Sequence, residues 1–414
     1  MNYIKLIRSY PNFIGYGALH YFFSSMGQTF LISIFVPYFV KSLPVTNTGF
    51  GLVYGLATVT SALILPFGGK LIDRFALRNV SVLVGLGLSI ACLITSFASN
   101  VVLLFLGLLS LRFFGQGMMV LLGSTSIARY FELARGKSLS LSSLGLPLAE
   151  SFMPVLTFGL ISGLGWSVSW QILAAVIIVI FIPLSIGLVS SQSDFQRVPV
   201  IDDKDKPTGQ SSNDASRRQV LRDRRFYMIV PGLIFLPFFI TGIFIHQNLL
   251  AEAHGWNMEW MATCFVGFGV ARITTNLVAG ALIDSFSARK VFIYYLLPLA
   301  AGLGILLIGN HRWLAMGYMI LAGVTSSLSG LTSASLWAEI YGVRHLGAIK
   351  SMAATLMVLS TALGPLVVGY GMSREPDLTL LAFIAIILMI TLLSWAALRN
   401  TSKDKQAKVY QHST

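Results

Sequence analysis

Apolar stretches long enough to cross a bilayer recur along the whole chain, at 12-40, 48-69, 79-98, 101-128, 138-163, 168-190, 226-251, 260-282, 290-309, 313-340, 351-373 and 378-398. About twenty such residues span a hydrocarbon core roughly 30 Å thick when they are helical. Inside lipid the backbone must satisfy its own hydrogen bonds, which leaves helices and closed barrels. The runs lack the apolar-polar alternation of a barrel strand, so the expected fold is an all-α membrane protein with twelve transmembrane helices. Composition agrees: 55% of residues are hydrophobic and 11% charged, against about 25% charged in soluble domains. The first run is longer than a signal-peptide core and has no small-residue cleavage site, so no cleaved leader is expected.

The placement of Lys and Arg sets the expected orientation, because positive loops stay in the cytoplasm. Of 29 such residues, the central loop alone holds eight, and alternate loops hold only Lys41, Arg312 and Arg374. Both termini are therefore expected in the cytoplasm. The net charge of +13 follows from this bias and calls for no nucleic acid. The two cysteines, Cys92 and Cys264, fall within apolar runs and are too sparse for a disulfide framework or a metal site.

Residues 191-225 interrupt the apolar pattern with Ser, Gln, Asp, Lys and a Pro207-Thr208-Gly209 turn. They read as a cytoplasmic linker between a six-helix bundle at 1-190 and another at 226-398, with a cytoplasmic tail at 399-414. The halves repeat. Gly69, Leu71, Ile72, Asp73, Phe75 and Arg78 recur as Gly280, Leu282, Ile283, Asp284, Phe286 and Arg289, and Tyr130 and Gly136 recur as Tyr341 and Gly347, all at one offset. Internal duplication on this scale points to a transporter whose substrate site lies between the repeats near the bilayer midplane.

The Gly-x-Leu-x-Asp-Arg-x-x-x-Arg run from Gly69 to Arg78, between helices 2 and 3, resembles the signature loop of the major facilitator superfamily, and its echo at 280-289 occupies the equivalent place. The resemblance covers the chain from helix 1 to helix 12. It implies a cytoplasmic gate built from Gly69, Asp73, Arg74, Arg78, Gly280, Asp284 and Arg289, in which the glycine lets helices approach closely. Asp beside a helix N-terminus and Arg beside a C-terminus complement the helix dipoles.

Three charges lie deep within the runs, and a charge at the bilayer centre needs a reason, since it costs about 2.5–3.5 kcal/mol on insertion scales. Arg112 and Glu150 lie roughly 17 and 18 Å along antiparallel helices 4 and 5, so an ion pair between them is expected. Glu150 is then the group that would carry a coupling proton, tuned by Arg112. Arg272 lies roughly 18 Å into helix 8, and the C-terminal half offers no acid at that depth, because Asp284 and Glu339 belong to helix ends. A guanidinium without a counter-ion suits an anionic substrate, whose carboxylate it binds in bidentate fashion. Asn276, one turn on, shares its face. The competing reading pairs Arg272 with helix carbonyls or with Glu150 across the interface of the halves.

Arg272-Ile273-Thr274-Thr275-Asn276-Leu277-Val278-Ala279-Gly280 resembles helix 8 of the monocarboxylate transporters and oxalate-formate exchangers, where the arginine holds the substrate carboxylate. Arg129 to Ser138 is similar to the same branch, and Arg112-Phe113-Phe114-Gly115-Gln116-Gly117 looks like the helix 4 arginine motif of the wider superfamily. Phe268 stands where those carriers have Asp, and Gln28 where they have a helix 1 Lys. A coupling proton would therefore be carried by Glu150 rather than by the monocarboxylate scheme, with exchange as the alternative to proton coupling.

The expectation is a secondary transporter in a bacterial plasma membrane that moves a small mono- or dicarboxylate. Arg272, Arg112, Gln28, Asn276 and Gln116 would bind the substrate. The expected partners are the bilayer, an anionic small molecule and protons, and the expected state is a monomer. Two rivals are an exporter of drugs or other amphipathic solutes, with Glu150 binding a cation, and a membrane sensor that does not transport. Helix 5 reads Leu146-Pro147-Leu148-Ala149-Glu150 and lacks the Gly-Pro-rich motif of drug antiporters. No P-loop, metal cluster or nucleophile motif calls for a cofactor, a metal or an enzyme. His20 and His246 are weaker proton-relay candidates. Pro147, Pro154 and Pro365, with Gly364 and Gly369, are candidate bending points.

Overall fold

The computed structural model describes residues 7–130, 135–190, 217–342 and 346–399. Twelve helices among them are long and apolar enough to span a membrane. They are α1 (Pro11–Ser42), α2 (Asn47–Ile72), α3 (Leu77–Ser96), α4 (Val101–Ile127), α5 (Ser138–Leu164) and α6 (Trp166–Val189) in the first half. The second half has α7 (Arg224–Ile245), α8 (Met258–Val278), α9 (Ala288–Leu306), α10 (Arg312–Tyr341), α11 (Met352–Met372) and α12 (Pro376–Leu398). Polar loop residues start several of them by accepting backbone N–H groups that the first turn leaves unpaired. Thr46 Oγ1 accepts from Gly49 at 3.0 Å, Asn100 Oδ1 from Leu103 at 2.9 Å, Asp223 Oδ1 from Arg225 at 2.8 Å and Asn257 Oδ1 from Trp260 at 2.8 Å.

The described end of the expected linker at 191-225 is helical. Residues 191–216 lie outside the described residues, but Arg217–Arg222 forms a short helix and Arg224 already begins α7. Arg217 to Arg225 are thus mostly helical, a conformation that straight-chain arginines favour.

Several spans are broken where the sequence supplies small or polar residues. The first contains a 3-10 turn at Ser24–Gly27, after which Gln28 is extended. A π-helical stretch at Leu111–Met119 widens the fourth around Gly115 and Gly117. The seventh stops at His246, and a separate helix, Gln247–His254, follows. Pro147 falls in the first turn after a break at Leu144, where its missing N–H costs nothing. Pro154 and Pro365 sit inside their helices.

The halves meet along α2 with α11, α5 with α8, and the second part of α1 with α7. Small residues allow these approaches, as is usual between membrane helices. A Cβ on Gly55 would stand 2.5 Å from the Ala362 carbonyl oxygen, and one on Gly269 would stand 2.7 Å from the Pro147 carbonyl oxygen. Polar side chains add to the seam: Gln247 Nε2 donates to Ser33 Oγ at 2.9 Å and Asn248 Nδ2 to Asn47 Oδ1 at 3.5 Å. An even number of spans puts both termini on one side, and these polar contacts lie toward the other.

Candidate functional site

Arg112 projects from the π-helical part of α4 and is almost wholly buried, 2% exposed. The break in α1 leaves the Gly27 carbonyl outside the helix ladder, and Arg112 Nη1 donates to it at 3.1 Å. The guanidinium lies over the Tyr54 ring, 5.0 Å from its centre, and the Tyr54 hydroxyl shares a 2.7 Å hydrogen bond with Thr29 Oγ1. Close contact of α1 with α4 makes this geometry possible. A Cβ on Gly27 would overlap the Leu111 carbonyl oxygen and stand 2.8 Å from Gly115 Cα. Arg112 Nε has no partner, and no carboxylate neutralises the charge among the described residues. Gln28 follows Gly27, and Gln116 lies one turn on from Arg112; both are half-buried.

The expected ion pair of Arg112 with Glu150 does not form. Glu150 Oε1 instead accepts from Arg272 Nη1 in an ion pair that joins α5 to α8, and hence one half to the other. The expectation that Arg272 lacks an acidic partner is corrected with it. The competing reading, Arg272 paired with Glu150 across the interface of the halves, is the one that forms, because the tight approach of Gly269 to Ser151 brings α5 against α8. Meanwhile the π turn aims Arg112 at the break in α1. The side chains of Arg272 and Glu150 are 20% and 5% exposed. Glu150 Oε2 and Arg272 Nε have no partner. Phe268, one turn before Arg272, offers its ring face 5.8 Å from the guanidinium carbon. Ser327 Oγ of α10 donates to the Arg272 carbonyl at 2.9 Å. Asn276 lies half-buried one turn further along α8.

The gate residues divide. Arg74 and Arg78 are exposed, and the side chains of Asp73, Gly280 and Asp284 lie outside the described residues. A Cβ on Gly69 would meet only Leu121, at an ordinary 3.7 Å, while one on Gly68 would be 3.2 Å from Phe113 and tighter still against Met118. Gly69 thus has room for a side chain, and Gly68 is the more tightly packed of the two, against side chains of α4. In the second copy, the Arg289 guanidinium lies 3.0 Å from Glu339 Oε1, and Glu339 Oε2 accepts from the Ala288 N–H at 3.0 Å. Glu339 of α10 thus caps the start of α9 and holds its arginine.

His20 is a hydrogen-bonded helix residue, with Nδ1 2.8 Å from the Tyr16 carbonyl and Nε2 3.1 Å from Ser81 Oγ. His246 Nε2 lies 2.8 Å from the Pro365 carbonyl, and its Nδ1 is buried without a partner. The 24–27 break and the polar seam at Ser33, Asn47, Gln247 and Asn248 were not legible as functional features. The clusters Ser24-Ser25-Met26-Gly27-Gln28 and His246-Gln247-Asn248 inside apolar runs were the available signals.

Twelve spanning helices, with a buried ion pair joining α5 to α8 and a second buried guanidinium at Arg112, define a polytopic membrane protein. The family model of the Major Facilitator Superfamily matches residues 17–271 and 228–412, and the chain belongs to that superfamily. It is a multi-pass membrane transporter, and the bilayer and a small-molecule substrate are its partners. Among solved structures it is similar to a bacterial homolog of the human lysosomal transporter Spinster, in an inward-facing and unoccupied conformation. That match has a TM-score of 0.70 at 15% identity, over 95% of this chain and 97% of the other. It is also similar to the nucleoside transporter NupG, with a TM-score of 0.69 at 13% identity over 96% and 99% of the two chains. At such identity these likenesses carry the fold alone. No curated protein sequence matches.

Proposed function

We propose that this transporter carries a small organic anion across a bacterial plasma membrane by alternating access, coupled to protons, with both termini in the cytoplasm. The single observation behind the anion is Arg112, a buried guanidinium that has one carbonyl and one aromatic ring around it and, among the described residues, no carboxylate. A buried charge is stable only when paired, and a substrate carboxylate supplies the pair, with Gln28 and Gln116 near enough in the fold to add donors. The role first read for Arg272 thus passes to Arg112. Two guanidiniums against one carboxylate at the midplane disfavour a cationic cargo and speak against the drug-exporter reading.

Glu150 and Arg272 form the coupling element of this reading. A proton taken up by Glu150 removes the charge that holds Arg272 and so loosens the joint between α5 and α8, while Arg272 and Asn276 become free to meet the anion. The polar seam at Ser33, Asn47, Gln247 and Asn248 closes the side away from the termini, which under the positive-inside orientation is the outer side. The 69-78 and 280-289 segments then lie at the cytoplasmic gate.

A thermal-shift panel of carboxylates and lipophilic cations on the purified protein tests the substrate class. At least one carboxylate raises the Tm of the wild type and fails to do so for Arg112→Gln. Stabilisation by cations alone, unaffected by Arg112→Gln, overturns the anion reading.

A further inference from the structure

On the side away from the termini, Gly255, Trp256, Asn257, Glu259, Trp260, Thr263 and Arg312 line a cavity of about 450 Å³. That size falls within the range of about 300–1,000 Å³ seen for small-ligand sites. Its walls are fixed before any ligand arrives. Trp256 Nε1 donates to the Asn310 carbonyl and Trp260 Nε1 to the Arg312 carbonyl, each at 2.7 Å, so the two indoles are held by the loop before α10 and by its first residue. The Arg312 guanidinium carbon lies 5.2 Å from the Trp260 ring centre and 5.9 Å from that of Trp313, two indoles that stand at 85° to each other. The side chain is exposed, and a planar guanidinium carries N–H groups suited to two parallel bonds to an oxyanion. Glu259 is exposed one residue before Trp260 and opens on the same cavity. Neither Arg312 nor Glu259 has an ion-pair partner among the described residues.

Position selects the ligand. Arg312 begins α10 and Glu259 is the second residue of α8, so the cavity sits where the helices leave the hydrocarbon, the level of headgroups and of interfacial tryptophans. We infer that this cavity binds a phosphoethanolamine zwitterion, with its phosphate on the Arg312 edge and its ammonium at Glu259, presented by a phospholipid of the surrounding leaflet. A purely anionic headgroup would satisfy Arg312 and be repelled by Glu259.

Native mass spectrometry of the full chain in detergent, titrated with phosphatidylethanolamine or phosphatidylglycerol, tests this. The wild type is expected to prefer phosphatidylethanolamine by about tenfold, a difference of about 1.4 kcal/mol. Arg312→Gln lowers occupancy by both lipids, whereas Glu259→Gln abolishes the preference and leaves phosphatidylglycerol bound. Soluble glycerophosphoethanolamine separates the sources: displacement only at a large excess assigns the site to lipid, and displacement at equal concentration assigns it to the free zwitterion. Equal binding of both lipids by the wild type, or a preference that survives Glu259→Gln, overturns the proposal and leaves the tryptophans and Arg312 as helix anchors.

Discussion

Arg272 and Glu150 each lean on the other, since each is mostly buried and each keeps one polar atom without a partner. Removing one member of a buried pair strands the other charge and costs about 3–5 kcal/mol, whereas replacing both with apolar groups is often neutral. Arg272→Met alone should therefore lower the Tm of the purified protein markedly, and Glu150→Leu/Arg272→Met should recover most of the loss. Additive losses would mean that the two side chains are not coupled. Arg112→Lys should abolish anion uptake while the protein still reaches the membrane, because an ammonium lacks the planar fork that can hold the Gly27 carbonyl and a substrate carboxylate together. At this scale the sequence located the buried charges and left the partner of Arg272 open between helix carbonyls and Glu150, whereas the expected partner of Arg112 was wrong. Depth along a helix is countable from residue numbers, but the choice between α4 and α8 as the neighbour of Glu150 is made by packing at Gly269 and Ser151, which lie 118 positions apart in the chain.

Helix ends and helix breaks differ in how plainly a sequence shows them. The ends of the apolar runs agree with the spans to within a few residues, because hydropathy and polar caps such as Thr46, Asn100 and Asn257 mark them. The 3-10 turn at Ser24–Gly27 and the π stretch at Leu111–Met119 are marked only by scattered small and polar residues, which a helix also tolerates, and the contact of α1 with α4 accompanies both breaks. Glycine substitutions separate these cases. Gly27→Val should prevent folding or strongly lower the Tm, since its Cβ would collide with backbone, whereas Gly69→Ala should leave the Tm within about 0.5 kcal/mol equivalent, as expected at a site with room. The polar seam offers a second test at this scale. Cysteines replacing Ser33 and Gln247, which hydrogen-bond at 2.9 Å, should cross-link under mild oxidation and stop transport, and a reductant should restore it. Free transport in the cross-linked protein would show that this seam does not open during the cycle.

For the whole molecule, the twelve-span architecture was legible because each span is a long apolar run and lipid admits few alternatives. The cargo was less legible, since it depends on how two arginines and one glutamate are shared between halves. Orientation is checked by labelling single cysteines in intact cells: positions 44 and 310 should react with an impermeant reagent and position 218 should not. The most direct test of the account is uptake of a labelled carboxylate into proteoliposomes under an inward proton gradient. The wild type should accumulate it, Glu150→Gln should exchange it without accumulation, and Arg112→Gln should do neither. Accumulation by Arg112→Gln equal to that of the wild type, or gradient-driven movement of a cationic dye with no movement of any carboxylate, would contradict the claim that a buried guanidinium awaits an anionic cargo.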